Sequence, residues 1–193
     1  MPKLGMEPIR KAALVKATIE EIGLAGSLDV TVSQIAKRAG MSSALAHHYF
    51  GSKEDIFTAA MRYILTLYAI EVRQALKDVK TPKDRLIAIL QASFNDSHFT
   101  REAVAAWLNF WVLALNRPQA KHLVDLYQRR LRSNLLVGLR PLIGPRAEFI
   151  AEQLAAFIDG IYLREVLKRG PADGEAALEK ALDFLEGALR NAP

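Results

Sequence analysis

Between Thr31 and Lys53 the chain reads TVSQIAKRAGMSSALAHHYFGSK, and few folds can accommodate that stretch. Thr31 and Gln34 have capping-box spacing, in which each side chain satisfies a main-chain N–H of the other, so a helix is predicted from about Val32. Ile35, Ala36 and Ala39 then recur on one face at helical spacing. Gly40 ends the helix, because glycine takes the left-handed turn conformation without a steric penalty. Ser42 can cap a second short helix over Ser43 to Tyr49. Ala36 and Ala46 are small where two steeply crossing helices must approach closely. Gly51 and Ser52 break the chain again, and Ser52 with Asp55 caps the next helix.

A helix that short buries little by itself, so its outer residues carry the information. Ser42, Ser43, Ala44, Leu45, His47, His48 and Tyr49 are short donors, small apolar groups and rings, with no carboxylate among them. That surface suits a helix lying in a major groove, where phosphates would repel acids. In a helix-turn-helix the second helix enters the groove with its first turn toward base edges. A plain helical hairpin inside an all-α domain fits the same spacing. The charge distribution favours the groove. Residues 1–53 hold seven Lys and Arg against four Asp and Glu, or +3, and the other 140 residues supply the remaining +2 of the net +5. A basic excess denser around the short helix suits a polyanion partner.

Other chemistries are poorly provided for. The chain has 193 residues, of which 51% are hydrophobic, enough for one large domain or a small one plus a larger one. With no cysteine it offers neither a disulfide framework nor a thiolate metal site. His47 and His48 are adjacent, hence roughly 100° apart on a helix, and cannot share a metal as an i, i+4 pair would. No Ser-His-Asp order or glycine-rich phosphate loop occurs, so neither an enzyme nor a metal or cofactor is expected. The longest apolar run, Ala103 to Leu115, carries Asn109 and is shorter than the roughly 18 residues of a membrane span. The charged N-terminus has no signal-peptide core, and a cytoplasmic location without membrane contact is expected.

The remaining chain reads as helices separated by glycine and proline. Residues 7–25 form the first, with Ala12, Val15, Ile19 and Ile22 as its core stripe and Gly26 as its stop. Lys3, Arg10, Lys11 and Lys16 near its start either touch DNA backbone or form a solvated face. A long helix runs from Lys53 to about Asp78, some 38 Å at 1.5 Å per residue, long enough to join a DNA-facing head to a body. Thr81-Pro82 opens another that reaches about Asp96. In the helix from Arg101 to Leu115, Trp107, Phe110 and Trp111 share one face. They are either ordinary core or an aromatic box for a cation, since a quaternary ammonium has no N–H and is held by ring faces and a nearby carboxylate. Pro118 starts a helix to about Leu139, with Tyr127 inward and Arg129, Arg130 and Arg132 outward. Pro141, Gly144 and Pro145 then break the chain. Two last helices, about 146–168 and 174–190, carry apolar stripes that either cover the core or pair with a second copy. A two-fold dimer would set two reading heads on a palindromic site. The expectation is an all-α fold of about nine helices, with residues 1–52 as a DNA-binding domain and 53–193 as a ligand-binding and dimerisation domain.

Gly26, Thr31-Val32, Ile35-Ala36, Ala39-Gly40, Phe50 and Ser52-Lys53-Glu54 fall where the TetR family of one-component repressors has them, and the chain resembles that family. His47-His48-Tyr49-Phe50 departs from the Tyr-Tyr-His-Phe of many members, which puts base preference in doubt and leaves phosphate contact intact. The opening MPKLGMEPIRKAALVKATIEEIG, AHHYFGSK, WLNFW, RRLRSNL and FIDGIYLR extend the resemblance to choline-responsive members that repress genes for choline uptake and glycine-betaine synthesis. The resemblance implies a TetR-like homodimer with a three-helix head, a palindromic double-stranded operator, and release by choline or a similar quaternary ammonium.

Carried over by position, the resemblance makes Thr31, Ser43, His47, His48, Tyr49 and Lys53 phosphate contacts and turns Ser42, Ala44 and Leu45 toward base edges. Tilting the helix that begins at Lys53 would move the head. The last two helices would form a four-helix dimer interface through Phe157, Ile158, Ile161, Leu178, Leu182 and Leu185. For the effector, Trp107, Phe110 and Trp111 are read as ring walls with Tyr127 and Tyr162 opposite. Asn109 would take the choline hydroxyl, and Asp159, Asp125 or Glu102 would balance the cation. The other reading is a TetR-type repressor of an efflux or catabolic gene that answers to another cationic or aromatic ligand.

Overall fold

Short-range caps account for most helix starts. In the computed structural model, which describes residues 5–96 and 99–190, the secondary structure is helical throughout. Its elements are α1 (Met6–Ala25), α2 (Val32–Arg38), α3 (Ser43–Phe50), α4 (Lys53–Ala75), α5 (Pro82–Ser93), α6 (Arg101–Ala114), α7 (Pro118–Ile143), a short 3-10 turn (Gly144–Arg146), α8 (Ala147–Leu167) and α9 (Gly174–Arg190). The Thr31–Gln34 capping box forms in both directions, and Ser42 and Thr81 cap α3 and α5 through Leu45 N–H and Asp84 N–H. Gly40, at φ 67°, makes the turn between α2 and α3, where the Met41 N–H reaches back to the Ala36 carbonyl at 2.8 Å. The all-α expectation holds for every described residue.

Local periodicity misplaced some details. On α1 the expected stripe through Ala12 is rotated. Ala12 is exposed and Ile19 half-buried, while Leu14, Val15, Thr18 and Ile22 are buried. The Thr18 hydroxyl enters that core by donating to the Leu14 carbonyl at 2.7 Å. The helix expected to end near Leu139 runs on to Ile143 with Pro141 inside its last turn, so of the expected break at Pro141, Gly144 and Pro145 the chain turns at Gly144 (φ 53°) and Pro145. A proline near a helix end removes a single intrahelical bond, so the helix outlasts it by two residues. Helix α5 stops at Ser93 rather than near Asp96. Lys3 lies outside the described residues.

The chain divides into two compact units. The first holds the chain as far as Leu65 together with Glu102–Leu123, and the second holds Thr66–Arg101 and the chain from Val124 onward. In the first, α1 packs on α2 and α3, with Leu14, Ile22, Val30, Ile35, Ala36 and Ala46 in its core. Arg38 on α2 pairs with Glu21 and, at 3.4 Å, with Glu20 on α1. Arg117, just beyond α6, pairs with Glu54 on α4 at 3.2 Å. In the second, α9 packs on α5 and α8 around Leu86, Ile89, Leu90, Ile150, Leu154 and Leu185. Gly174 is obligatory there, because a Cβ would stand 2.5 Å from the Phe94 carbonyl oxygen at the end of α5.

Candidate functional site

The helix-turn-helix lies in the first unit. On α3 only Ala46 is buried, in the same core as Ala36 of α2. Ser42, Ala44, His47 and His48 are exposed, while Ser43, Leu45 and Tyr49 are half-buried, so the acid-free face points to solvent. Small side chains at the crossing let the two helices close, and the Ser33 and Ser43 hydroxyls meet at 3.0 Å. The His47 Nδ1 lies 2.9 Å from the Gly51 carbonyl oxygen, closing the end of α3. Basic groups from α1 gather beside the helix. Arg10 donates to the Tyr49 hydroxyl at 3.5 Å, and the Lys11 ammonium stands 6.0 Å from the Tyr49 ring. Lys53 sits at the start of α4 with its ammonium 5.3 Å from the Phe57 ring. Thr31 is exposed, and its capping bonds to Gln34 occupy both its hydroxyl and its N–H.

The aromatic residues divide between the two units. In the first, Trp107 and Phe110 are buried, and Trp111 is half-buried at 6.0 Å and 68° from the Trp107 ring. The Trp111 indole N–H is buried and has no hydrogen-bond partner. Asn109 donates its amide to the Ala105 carbonyl at 2.9 Å, which ties it to its own helix. Glu102 packs against Gly23 of α1.

The second unit assembles tyrosines and a carboxylate from three helices, and a serine from a fourth. Tyr68 of α4 meets Tyr127 of α7 edge-on, with ring centres 5.8 Å apart. The Tyr127 hydroxyl donates to Asp159 Oδ1 on α8 at 3.3 Å. Tyr162, one turn further along α8, donates to the Ser93 carbonyl of α5 at 2.5 Å and contacts the Phe99 ring edge-on at 4.9 Å. Burial pushes the Asp159 carboxyl up from 3.8 to about 6, against the lowering effect of the Tyr127 hydroxyl. Burial likewise pushes Tyr68 to about 12, and Tyr127 and Tyr162 well above the ordinary range. The Asp159 charge adds to all three shifts, and Glu71 of α4 adds to that of Tyr162. Ring faces beside a carboxylate held in low dielectric can take up a cation that has no N–H to donate.

Of this group the sequence pattern singled out Tyr127, Asp159 and Tyr162 and passed over Tyr68, Glu71 and Ser93. Tyr68 is spaced like any apolar residue of α4, and Ser93 interrupts an apolar run with nothing local to single it out. Asp125 is half-buried on α7. Of the six residues expected at a dimer interface, Ile158, Ile161 and Leu185 are covered by their own chain, at 1%, 5% and 1% exposure. Phe157, Leu178 and Leu182 stay half-exposed, and Phe157 stacks on Phe184 at 4.8 Å. The outward face of α8 carries Phe149, Leu163 and Leu167 at 61%, 50% and 75% exposure. A groove of about 690 Å³ beside it is lined by Ala156, Phe157, Gly160, Arg164, Leu167 and Lys180. Among the described residues no His, Cys, Asp or Glu cluster could hold a metal, and no helix is long and apolar enough to cross a membrane.

A capped α2, a glycine turn and a capped, acid-free α3 packed on α1 define a helix-turn-helix DNA-binding protein that is helical throughout its described residues. Comparison with known proteins narrows the class. Residues 14–60 match the model of bacterial regulatory proteins of the tetR family, and residues 82–190 match that of the BetI-type transcriptional repressor C-terminal domain. The chain is 47% identical over 191 residues to the HTH-type transcriptional regulator BetI of Rhizobium meliloti, spanning 98% of this chain and 94% of that one. It is 43% identical over 194 residues to BetI of Brucella melitensis, spanning 100% and 98%. A transcriptional regulator from Pseudomonas aeruginosa PAO1 shares the fold at a TM-score of 0.81 and 24% identity, covering 98% of this chain and 94% of that one. A regulator from Saccharomonospora viridis, solved in complex with choline, superposes at a TM-score of 0.77 and 22% identity, covering 91% and 95%. The chain belongs to the TetR family, and within it to the BetI-type transcriptional repressors. It is a DNA-binding regulator and not an enzyme.

Proposed function

We propose that this chain represses genes for choline uptake and glycine-betaine synthesis and leaves its operator when choline binds. The observation that carries the reading is the group of Tyr68, Tyr127 and Tyr162 around Asp159 within one unit. Choline offers three methylated faces and one positive charge, which ring faces and a buried carboxylate match. The choline complex of the Saccharomonospora viridis regulator and the identity to BetI proteins support the same ligand. The head, residues 1–52, binds DNA. Ser42, Ala44 and Leu45 meet base edges, while Thr31, Ser43, His47, His48, Tyr49 and Lys53 meet phosphates, with Arg10 beside Tyr49 as a further backbone contact. Residues 53–193 bind the effector and pair two copies on a palindromic operator, with the open α8 face of Phe149, Leu163 and Leu167 at the contact.

Titration of the protein with choline at fixed ionic strength, followed by calorimetry and by release of labelled operator DNA, tests the reading. Saturable binding that releases the operator is the expected result, with the neutral carbon isostere of choline at least tenfold weaker. Equal binding of the isostere would remove the charge from the recognition. Release by other cations or aromatic compounds, with none by choline, would move the chain to efflux or catabolic control.

A further inference from the structure

Ser93 joins two of the three tyrosines, although it has neither a ring nor a charge. It is the last residue of α5 and is 1% exposed. Its hydroxyl donates to the Ile89 carbonyl one turn back at 2.9 Å, which uses its one proton. The contact at 3.2 Å between its Oγ and the Tyr68 hydroxyl therefore has Tyr68 as donor. Its main-chain carbonyl lies in the last turn of the helix, where carbonyls have no intrahelical partner, and it accepts the Tyr162 hydroxyl at 2.5 Å. One residue thus fixes the far ends of two rings, Tyr68 from α4 and Tyr162 from α8.

We infer that Ser93 is a positioning residue for the effector site, an inference that rests on the tyrosine group being the choline site. A ring attracts a cation at its face and repels it at its edge, so affinity depends on ring angle. Tethering the hydroxyl holds the ring in its receptive orientation before the ligand arrives, which removes an ordering cost from binding. Ser93 acts through Tyr68 and need not touch the ligand.

The test is a mutant cycle on the full chain, with choline dissociation constants measured by calorimetry and melting temperatures recorded alongside. Ser93→Ala and Tyr68→Phe remove the same hydrogen bond from opposite ends, and Tyr68→Phe keeps the ring. Each is expected to weaken choline binding about tenfold, and the double variant no more than either alone. Wild-type affinity in Tyr68→Phe would overturn the inference, even if Ser93→Ala folds too poorly to measure. So would a roughly hundredfold loss in the double variant, since independent effects multiply. Lower melting temperatures with unchanged affinity would assign Ser93 to stability alone. Absence of choline binding by the wild-type chain would overturn both the site and its positioning residue, whereas binding by wild type and Ser93→Ala alike overturns the positioning only.

Discussion

Asp159 carries a conflict between stability and recognition. Its carboxyl titrates near 6 in the folded chain against 3.8 ordinarily, so folding disfavours the charged form. An acid whose folded value is raised loses stability as pH climbs from about 4 to about 6, because the folded state gives up its proton later than the unfolded one. Asp159→Asn should therefore make the ligand-free protein more stable near neutral pH by about 1–3 kcal/mol, read as a higher denaturation midpoint. The same change should cost at least tenfold in choline affinity. In the wild-type chain choline affinity should fall as pH drops through about 6, where the carboxylate becomes neutral. The tyrosines facing Asp159 are pushed upward, Tyr68 to about 12 and Tyr127 and Tyr162 well above the ordinary range, and stay neutral across that window. Loss of both stability and affinity in Asp159→Asn would contradict this account.

At the scale of the element, α3 depends on its ends. It has eight residues, too few to be stable alone, and buries only Ala46. The Ser42 side chain accepts the Leu45 N–H at 3.2 Å, and losing such a cap costs about 1 kcal/mol. Ser42→Asp separates capping from recognition. Aspartate caps as well as serine, so thermal stability should hold. A carboxylate in the first turn of the recognition helix should nonetheless abolish operator binding in a fluorescence anisotropy titration. Retained binding by Ser42→Asp would show that this turn does not approach DNA. Such local pairings span three or four residues, which is why the starts of α2, α3 and α5 were legible beforehand. The register of α1 was not, because Ala12 and Leu14 are both apolar and only the packing of α1 on α2 and α3 chooses between them.

For the whole molecule, the proposed function needs two heads on one operator. The apolar face of Leu163 and Leu167 is exposed in a single chain, and its burial against a second copy would drive association. Replacing both by Glu should yield a monomer by sedimentation, with operator affinity lowered at least a hundredfold and the helical content unchanged. A dimer that survives both charges would put the contact elsewhere. Operator affinity of the wild type should fall steeply with salt, because Arg, Lys and His at phosphates displace counterions. A flat log–log plot would leave the basic groups around Tyr49 without a role.

Helix boundaries set by caps and glycines, the helix-turn-helix between Thr31 and Lys53, and the family can all be read from the chain before it folds. All of these are carried by residues within a few positions of one another or by contiguous motifs. The meeting of Tyr68, Tyr127, Asp159, Tyr162 and Ser93 is a product of helix packing. Their hydrogen bonds join residues 25, 32 and 69 positions apart, and no periodicity within one helix encodes such a meeting. The structure likewise decided that Ile158, Ile161 and Leu185 belong to the core while Leu163 and Leu167 face outward. An apolar stripe states how much surface must leave water, and only packing against particular neighbours settles which partner covers it.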